Sequence, residues 1–130
     1  MKFSLFQMPV QAGFPSPADD FVEKSLDLNE LLIEHPAATF FVRVQGTSMK
    51  DAHIHDGDVL IVDKSKEAVS GSIVVAVING EFTVKRIQMQ GDAVFLVPEN
   101  KKFAPIAVTR EMDFQVWGVV TYVIHKIRAR

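Results

Sequence analysis

The sequence predicts a mostly β domain with a flexible N-terminal arm and one or two short helices ahead of the sheet. Three observations carry that expectation. From residue 38 onward, "TFFVRVQG", "DVLIVDK", "GSIVVAVING", "EFTVKRIQ" and "AVFLVP" are rich in Val, Ile, Phe and Thr and bounded by Gly, Asn, Asp or Pro. An Asn79-Gly80 pair stands between two of these runs, the strongest local signal for a two-residue hairpin turn. A length of 130 residues with 48% hydrophobic content suits one domain with its own core.

Taken in chain order, residues 1–15 show no clear period, and "AGFPSP" concentrates Gly13, Pro15 and Pro17, which keep a backbone extended or turning. This stretch reads as the arm. Ser16, Pro17 and Asp19 read as an N-cap, a first-position proline and a first-turn acid, so a helix is expected there with Phe21, Val22 and Leu26 on its apolar side. Asp27 with Glu30 offers a second cap, for a helix that runs through "LLIEHP" and ends at Pro36. The five strand runs follow, with "EFTVKRI" folded antiparallel to "SIVVAVI" by the Asn79-Gly80 turn. "FQVWGVVTYVI" closes the body as a long apolar strand before the basic "HKIRAR". No internal repeat or low-complexity block is present.

Composition excludes several classes. Fourteen Lys and Arg against sixteen Asp and Glu give a net charge of -2, without the basicity of proteins that grip nucleic acid phosphates regardless of sequence, so any DNA role is expected to be indirect. The absence of cysteine excludes a disulfide framework, a thiolate zinc site and a cysteine nucleophile, and it fits a reducing cytoplasm. "MKFSLFQMPVQAG" is a poor signal peptide because Ser4, Gln7 and Pro9 interrupt its apolar run. Nowhere do about 18 uninterrupted apolar residues occur, so neither a transmembrane helix nor a membrane partner is expected.

Ser48, in "GTSMK", raises the question of chemistry. Serines in turns mostly cap backbone groups, and a nucleophile needs a base and donors for an oxyanion as well. Strand alternation in "EFTVKRI" puts Phe82, Val84 and Arg86 on one face and Thr83, Lys85 and Ile87 on the other. A lysine facing an apolar interior loses hydration, its pKa falls, and the neutral amine becomes a base. An ordinary strand lysine snorkelling to water fits the same residues, and both readings stand at this point.

Other arrangements fit less well. Ser48 lacks the second glycine of a G-x-S-x-G elbow, and no serine is followed three residues on by lysine. His53 and His55 could share a strand face and bind a metal, but no third ligand is evident, and a solvated loop is the better reading. A triad of Ser48, His53 and Asp56 can be drawn on paper, yet neighbours on one loop rarely converge in geometry. Asp56-Gly57-Asp58 reads as a turn entering a strand and lacks calcium-loop spacing.

Six blocks, "GFPSPA" at 13, "DLNELLIEHP" at 27, "GTSM" at 46, "DGDVLIVD" at 56, "GEFTVKRI" at 80 and "VWGVV" at 116, span most of the chain. In order and spacing they resemble the UmuD-like, SOS-mutagenesis members of the LexA-like self-cleaving serine peptidases. The resemblance implies the LexA/UmuD-like peptidase fold, with Ser48 as nucleophile, Lys85 as general base and the backbone amides of Ser48 and Thr47 as the oxyanion hole. It implies a cut at an Ala-Gly or Cys-Gly bond. Ala12-Gly13 is the sole such pair, so residues 1–12 form the removable arm and 13–130 the β-rich peptidase and dimerisation domain. No cofactor is implied.

The implied partners are a second copy of the chain, a RecA nucleoprotein filament that stimulates cleavage, and the catalytic subunit of an error-prone Y-family polymerase, UmuC-like and of the polymerase V type. Two other functions remain in view: a non-enzymatic, polymerase-regulating binding subunit with a silent dyad, and a peptidase acting on other proteins. The sequence departs from the pattern in having twelve residues before Gly13, shorter than is usual, and alanine where some members have cysteine before the cut. About 15 residues ahead of the first expected helix leave no room for a helix-turn-helix, so a DNA-reading repressor is not expected.

Overall fold

The computed structural model describes residues 2–6, 12–13 and 23–127, and the chain forms two compact units, residues 1–34 and 35–130. In the first unit, strands β1 (Lys2–Phe6) and β2 (Glu23–Asp27) pair antiparallel, with Phe3 opposite Leu26 and Leu5 opposite Lys24. Helix α1 (Leu28–Leu32) follows, and its cap is the one that Asp27 and Glu30 predicted. The Asp27 carboxylate accepts the Asn29 N–H at 3.0 Å, and Glu30 lies in the positive first turn. The helix ends at Leu32, and Pro36 opens a short 3-10 turn, Pro36–Ala38, instead of terminating the helix itself.

Two expectations are corrected here. Residues 2–6, which lack a readable period, form a strand, and residues 23–27, expected in a helix begun at Ser16, form its antiparallel mate. The expected helix start at Ser16 to Val22 lies outside the described residues. Pairing with a segment distant in sequence satisfies these backbone groups, and a reading of caps and local period contains no information on such a partner.

The second unit is a seven-stranded antiparallel sheet of β3 (Thr39–Arg43), β4 (Val59–Asp63), β5 (Ile73–Ile78), β6 (Glu81–Gln90), β7 (Ala93–Val97), β8 (Ile106–Ala107) and β9 (Phe114–Ile124). Their order across the sheet is β3-β4-β9-β5-β6-β7-β8, so the last strand of the chain lies between β4 and β5. The five strand runs and the long closing strand fall where the sequence puts them. β8, two residues long, is too short to show a pattern. Asn79 and Gly80 adopt φ of 50° and 85°, the left-handed pair that a two-residue hairpin turn requires, and they set Lys85 opposite Val74.

β5 is buried on both faces, which is why its sequence is an unbroken apolar run. Val75 packs with Val44, Met49, Ile54, Leu60 and Val62 in one cluster, while Val74 and Ala76 join Ile87 and Leu96 in another. β9 shifts register against β5 between Val75 and Ala76, which leaves Trp117 outside the pairing. Such a bulge re-aims its side chain, and Trp117 lines the cleft described below. At the next residue, a Cβ on Gly118 would stand 2.5 Å from Val62 Cγ1, so the close passage of β9 beside β4 needs glycine. Among the described residues, no helix is long and apolar enough to cross a membrane.

Candidate active site

The chain leaves β3 at Arg43 and returns to β4 at Val59 through a loop closed on itself. Val44 N–H donates to the Asp58 carbonyl at 2.8 Å and Gly57 N–H to the Val44 carbonyl at 2.9 Å. Gly46, with φ of 91°, occupies a left-handed conformation that favours glycine, and its N–H donates to Asp56 Oδ1 at 2.8 Å. Met49 and Ile54 are buried in the core. Driving Met49 inward holds the preceding Ser48, which is half-buried, at the wall of a cleft.

Lys85, on β6, reaches the same place from the sheet. Its Nζ donates to Ser48 Oγ at 3.0 Å, to Thr83 Oγ1 at 2.6 Å and to the Val84 carbonyl at 3.0 Å. The side chain is buried, and desolvation of the charged form pulls its pKa below the usual lysine value. Lys85 is buried like Ile87, as the alternation of "EFTVKRI" predicts, so the snorkelling reading does not hold, but Phe82 and Val84, which alternation puts on the other face, line the same cleft. The cleft around the pair has a volume of about 610 Å³, with Val42, Val44, Val75, Phe82, Val84 and Trp117 as apolar walls. Phe82 meets Trp117 edge-on, with ring centroids 5.9 Å apart.

The turn bearing Ser48 is gripped by residues that the sequence reading assigned no role. Asp51 N–H donates to the Glu99 carbonyl at 2.8 Å, Glu99 N–H to Met49 Sδ at 3.4 Å, and Asn100 Nδ2 to the Thr47 carbonyl at 2.8 Å. Arg86 Nε pairs with Glu99 Oε1 at 2.6 Å, which ties this loop back to β6. Among the described residues, no acceptor stands against the backbone amides of Thr47 or Ser48. In "PENKKF" the asparagine looks like any loop residue, and no periodicity marks it as buried.

Residues 4–121 match the Peptidase S24-like family. The chain belongs to that family. It is 48% identical to protein SamA of Salmonella typhimurium over 125 residues, covering 96% of this chain and 86% of that protein. Protein MucA of Escherichia coli is 48% identical over 114 residues, covering 87% of this chain and 77% of MucA. The LexA repressor of Pseudomonas chlororaphis is 42% identical over 118 residues, which is 90% of this chain but 58% of that protein. The resemblance read from the six sequence blocks, and the fold class that it implied, agree with membership of this peptidase family.

Ala12 and Gly13 are exposed in a bend of the first unit, and a Cβ on Gly13 would have no heavy atom within 4 Å. His53 ends the 3-10 turn Lys50–Ala52 in a left-handed conformation, while Asp56 is engaged by Gly46, so the triad drawn from Ser48, His53 and Asp56 is not assembled. His55 N–H donates to Asp58 Oδ2 at 2.8 Å and His125 Nδ1–H to Asp58 Oδ1 at 2.6 Å. Burial would raise the Asp58 pKa, but these bonds outweigh it and hold the carboxyl below its ordinary range. Among the described residues, no group of three or more His, Asp or Glu is arranged to hold a metal ion.

Proposed function

We propose that this S24-like chain is a serine peptidase that cuts its own Ala12–Gly13 bond, with Ser48 as nucleophile and Lys85 as general base. The observation that carries the reading is the 3.0 Å approach of Lys85 Nζ to Ser48 Oγ within an apolar cleft. A neutral amine has two N–H groups and one lone pair. The Val84 carbonyl can only accept and takes one N–H, and the Thr83 hydroxyl takes the other. The lone pair is left for the Ser48 hydroxyl, which then donates along the line seen in the structure.

With the arm docked, Ser48 Oγ attacks the Ala12 carbonyl carbon while its proton passes to Lys85 Nζ. The amides of Ser48 and Thr47 stabilise the oxyanion. Collapse breaks the bond to Gly13, whose nitrogen takes the proton from Lys85 and leaves as a new amino terminus. A water then attacks the ester carbonyl and gives a proton to Lys85, and collapse breaks the acyl–Oγ bond as that proton returns to Ser48 Oγ, releasing residues 1–12 as a carboxylic acid. A small residue before the cut and a glycine after it let the substrate backbone approach closely. The product, residues 13–130, lacks Lys2, so the side-chain charge moves from -2 to -3.

Likeness to SamA, MucA and the LexA repressor supports a place in the SOS response. In this reading RecA nucleoprotein filaments stimulate the cut in the cytoplasm, and the shortened homodimer serves as accessory subunit of an error-prone Y-family polymerase. The test is intact-protein mass spectrometry of wild type, Ser48→Ala and Lys85→Ala at mildly alkaline pH, with and without RecA, an ATP analogue and single-stranded DNA. A product beginning at Gly13 from wild type alone supports the reading. Three intact proteins under every condition would leave a non-enzymatic binding subunit as the better account.

A further inference from the structure

Asn100 is 5% exposed, and both ends of its side-chain amide are engaged. The Lys102 N–H, which can only donate, stands 3.0 Å from Oδ1, and this fixes Nδ2 toward the Thr47 carbonyl at 2.8 Å. The same carbonyl accepts the Lys50 N–H at 3.2 Å, so its direction is set by donors from two segments. In a trans peptide the C=O and the following N–H point to opposite sides. Holding the Thr47 carbonyl against Asn100 therefore turns the Ser48 N–H away from Asn100. Ser48 lines the cleft, and among the described residues its amide meets no acceptor.

We propose that Asn100 is a positioning residue that locks the Thr47–Ser48 peptide with its N–H aimed at the oxyanion. The inference rests on the peptidase reading above. A peptide in a short turn can rotate about its flanking bonds, and with the carbonyl turned into the cleft it would repel the developing negative charge. The buried amide removes that alternative before substrate arrives, which is electrostatic preorganisation by a residue outside the reacting atoms.

The test compares wild type, Asn100→Ala, Asn100→Asp and Ser48→Ala by two rates. One is formation of residues 13–130 across a pH series, and the other is phosphonylation of Ser48 by a fluorophosphonate, whose phosphoryl oxygen needs the same donors. Thermal melting reports folding, and Asn100→Asp keeps the shape of the side chain should the alanine variant unfold. Both Asn100 variants are expected to lose about 10²-fold in each rate, with the aspartate at least as slow as the alanine because its oxygens repel the Thr47 carbonyl. In Asn100→Ala, which adds no charge near Lys85, the pH at which cleavage is half-maximal should stay at the wild-type value.

Asn100→Asp reacting as fast as wild type would overturn the proposal and reduce Asn100 to a space-filling role. A shifted pH midpoint in Asn100→Ala, with the rate regained at high pH, would also overturn it, because the effect would then run through Lys85. If wild-type Ser48 is labelled but Ala12–Gly13 stays intact, self-cleavage alone fails, and the labelling rates still decide the role of Asn100. If wild type neither cuts nor labels, the peptidase reading fails and this proposal falls with it.

Discussion

Lys85 Nζ stands 3.0 Å from Ser48 Oγ across a sequence separation of 37 residues, and its other hydrogen-bond partners are the neutral oxygens of Thr83 and Val84. A buried lysine surrounded by neutral acceptors gains less from its charge than one in water, and that difference makes the pair suitable for proton transfer.

Ser48→Ala and Lys85→Arg should each lower self-cleavage at least about 10³-fold, because the first removes the attacking oxygen and the second puts in a side chain that stays protonated. The measurement is the yield of residues 13–130 over time by mass spectrometry. Cleavage by Lys85→Arg at the wild-type rate would show that Lys85 is not the base.

The pH dependence has a definite sign. Burial lowers the Lys85 pKa from 10.5, so the neutral base becomes available below that value, and the cleavage rate should climb with pH through the folded pKa and then level off. Between the folded pKa and 10.5 the unfolded chain binds the proton more tightly, so stability also rises with pH in that window. Lys85→Met removes the buried charge and is expected to melt at or above the wild-type temperature at neutral pH. A large drop in its melting temperature would contradict this account.

Asp63 is buried and has its pKa lowered to about 2, first by the Ser65 hydroxyl, then against burial by His35 and the Ser65 N–H. A lowered carboxyl pKa contributes stability that is present above 3.8 and lost as pH falls toward about 2. Asp63→Ala should cost about 1–3 kcal/mol at neutral pH, since it leaves its donors without their buried acceptor. Urea unfolding at neutral pH and across the acid range checks both points. The variant should lose less stability than wild type over that acid window.

Gly118→Ala should destabilise the sheet by about 1–3 kcal/mol, because the new methyl would overlap Val62 Cγ1 in a filled core and cannot be relieved by a flexible side-chain end. Chemical denaturation monitored at Trp117 reports this. An unchanged midpoint would mean that β9 can move away from β4 at no cost.

Gly13→Glu should leave folding unchanged, since the position is exposed and open, yet it should block the cut by keeping the chain from close approach to Ser48. Melting curves and intact mass after alkaline incubation test the two halves together. A cut that proceeds at the wild-type rate would move the scissile bond elsewhere.

The parts legible in the sequence are those set by local physics. β-branched runs, the Asn79-Gly80 turn and the Asp27 cap each act over a few residues, and each lies where it was read. The facing of Lys85 also followed, because side-chain alternation along a strand is a local property. β1 and β2 were not legible, since their structure comes from each other and not from their own periodicity. Asn100 gave no signal either, because its importance lies in a carbonyl 53 residues away.

By itself, then, the sequence determined the β-rich body, the hairpin, and the candidacy of a turn serine and an inward-facing strand lysine. Only the tertiary structure decided that the two meet at 3.0 Å, that Trp117 bulges into the cleft and that Asn100 reaches Thr47. The reason is physical. Local preferences choose strands and turns, whereas contacts between distant residues depend on strand order, and here the final strand must insert between β4 and β5 before the body beneath the site is complete.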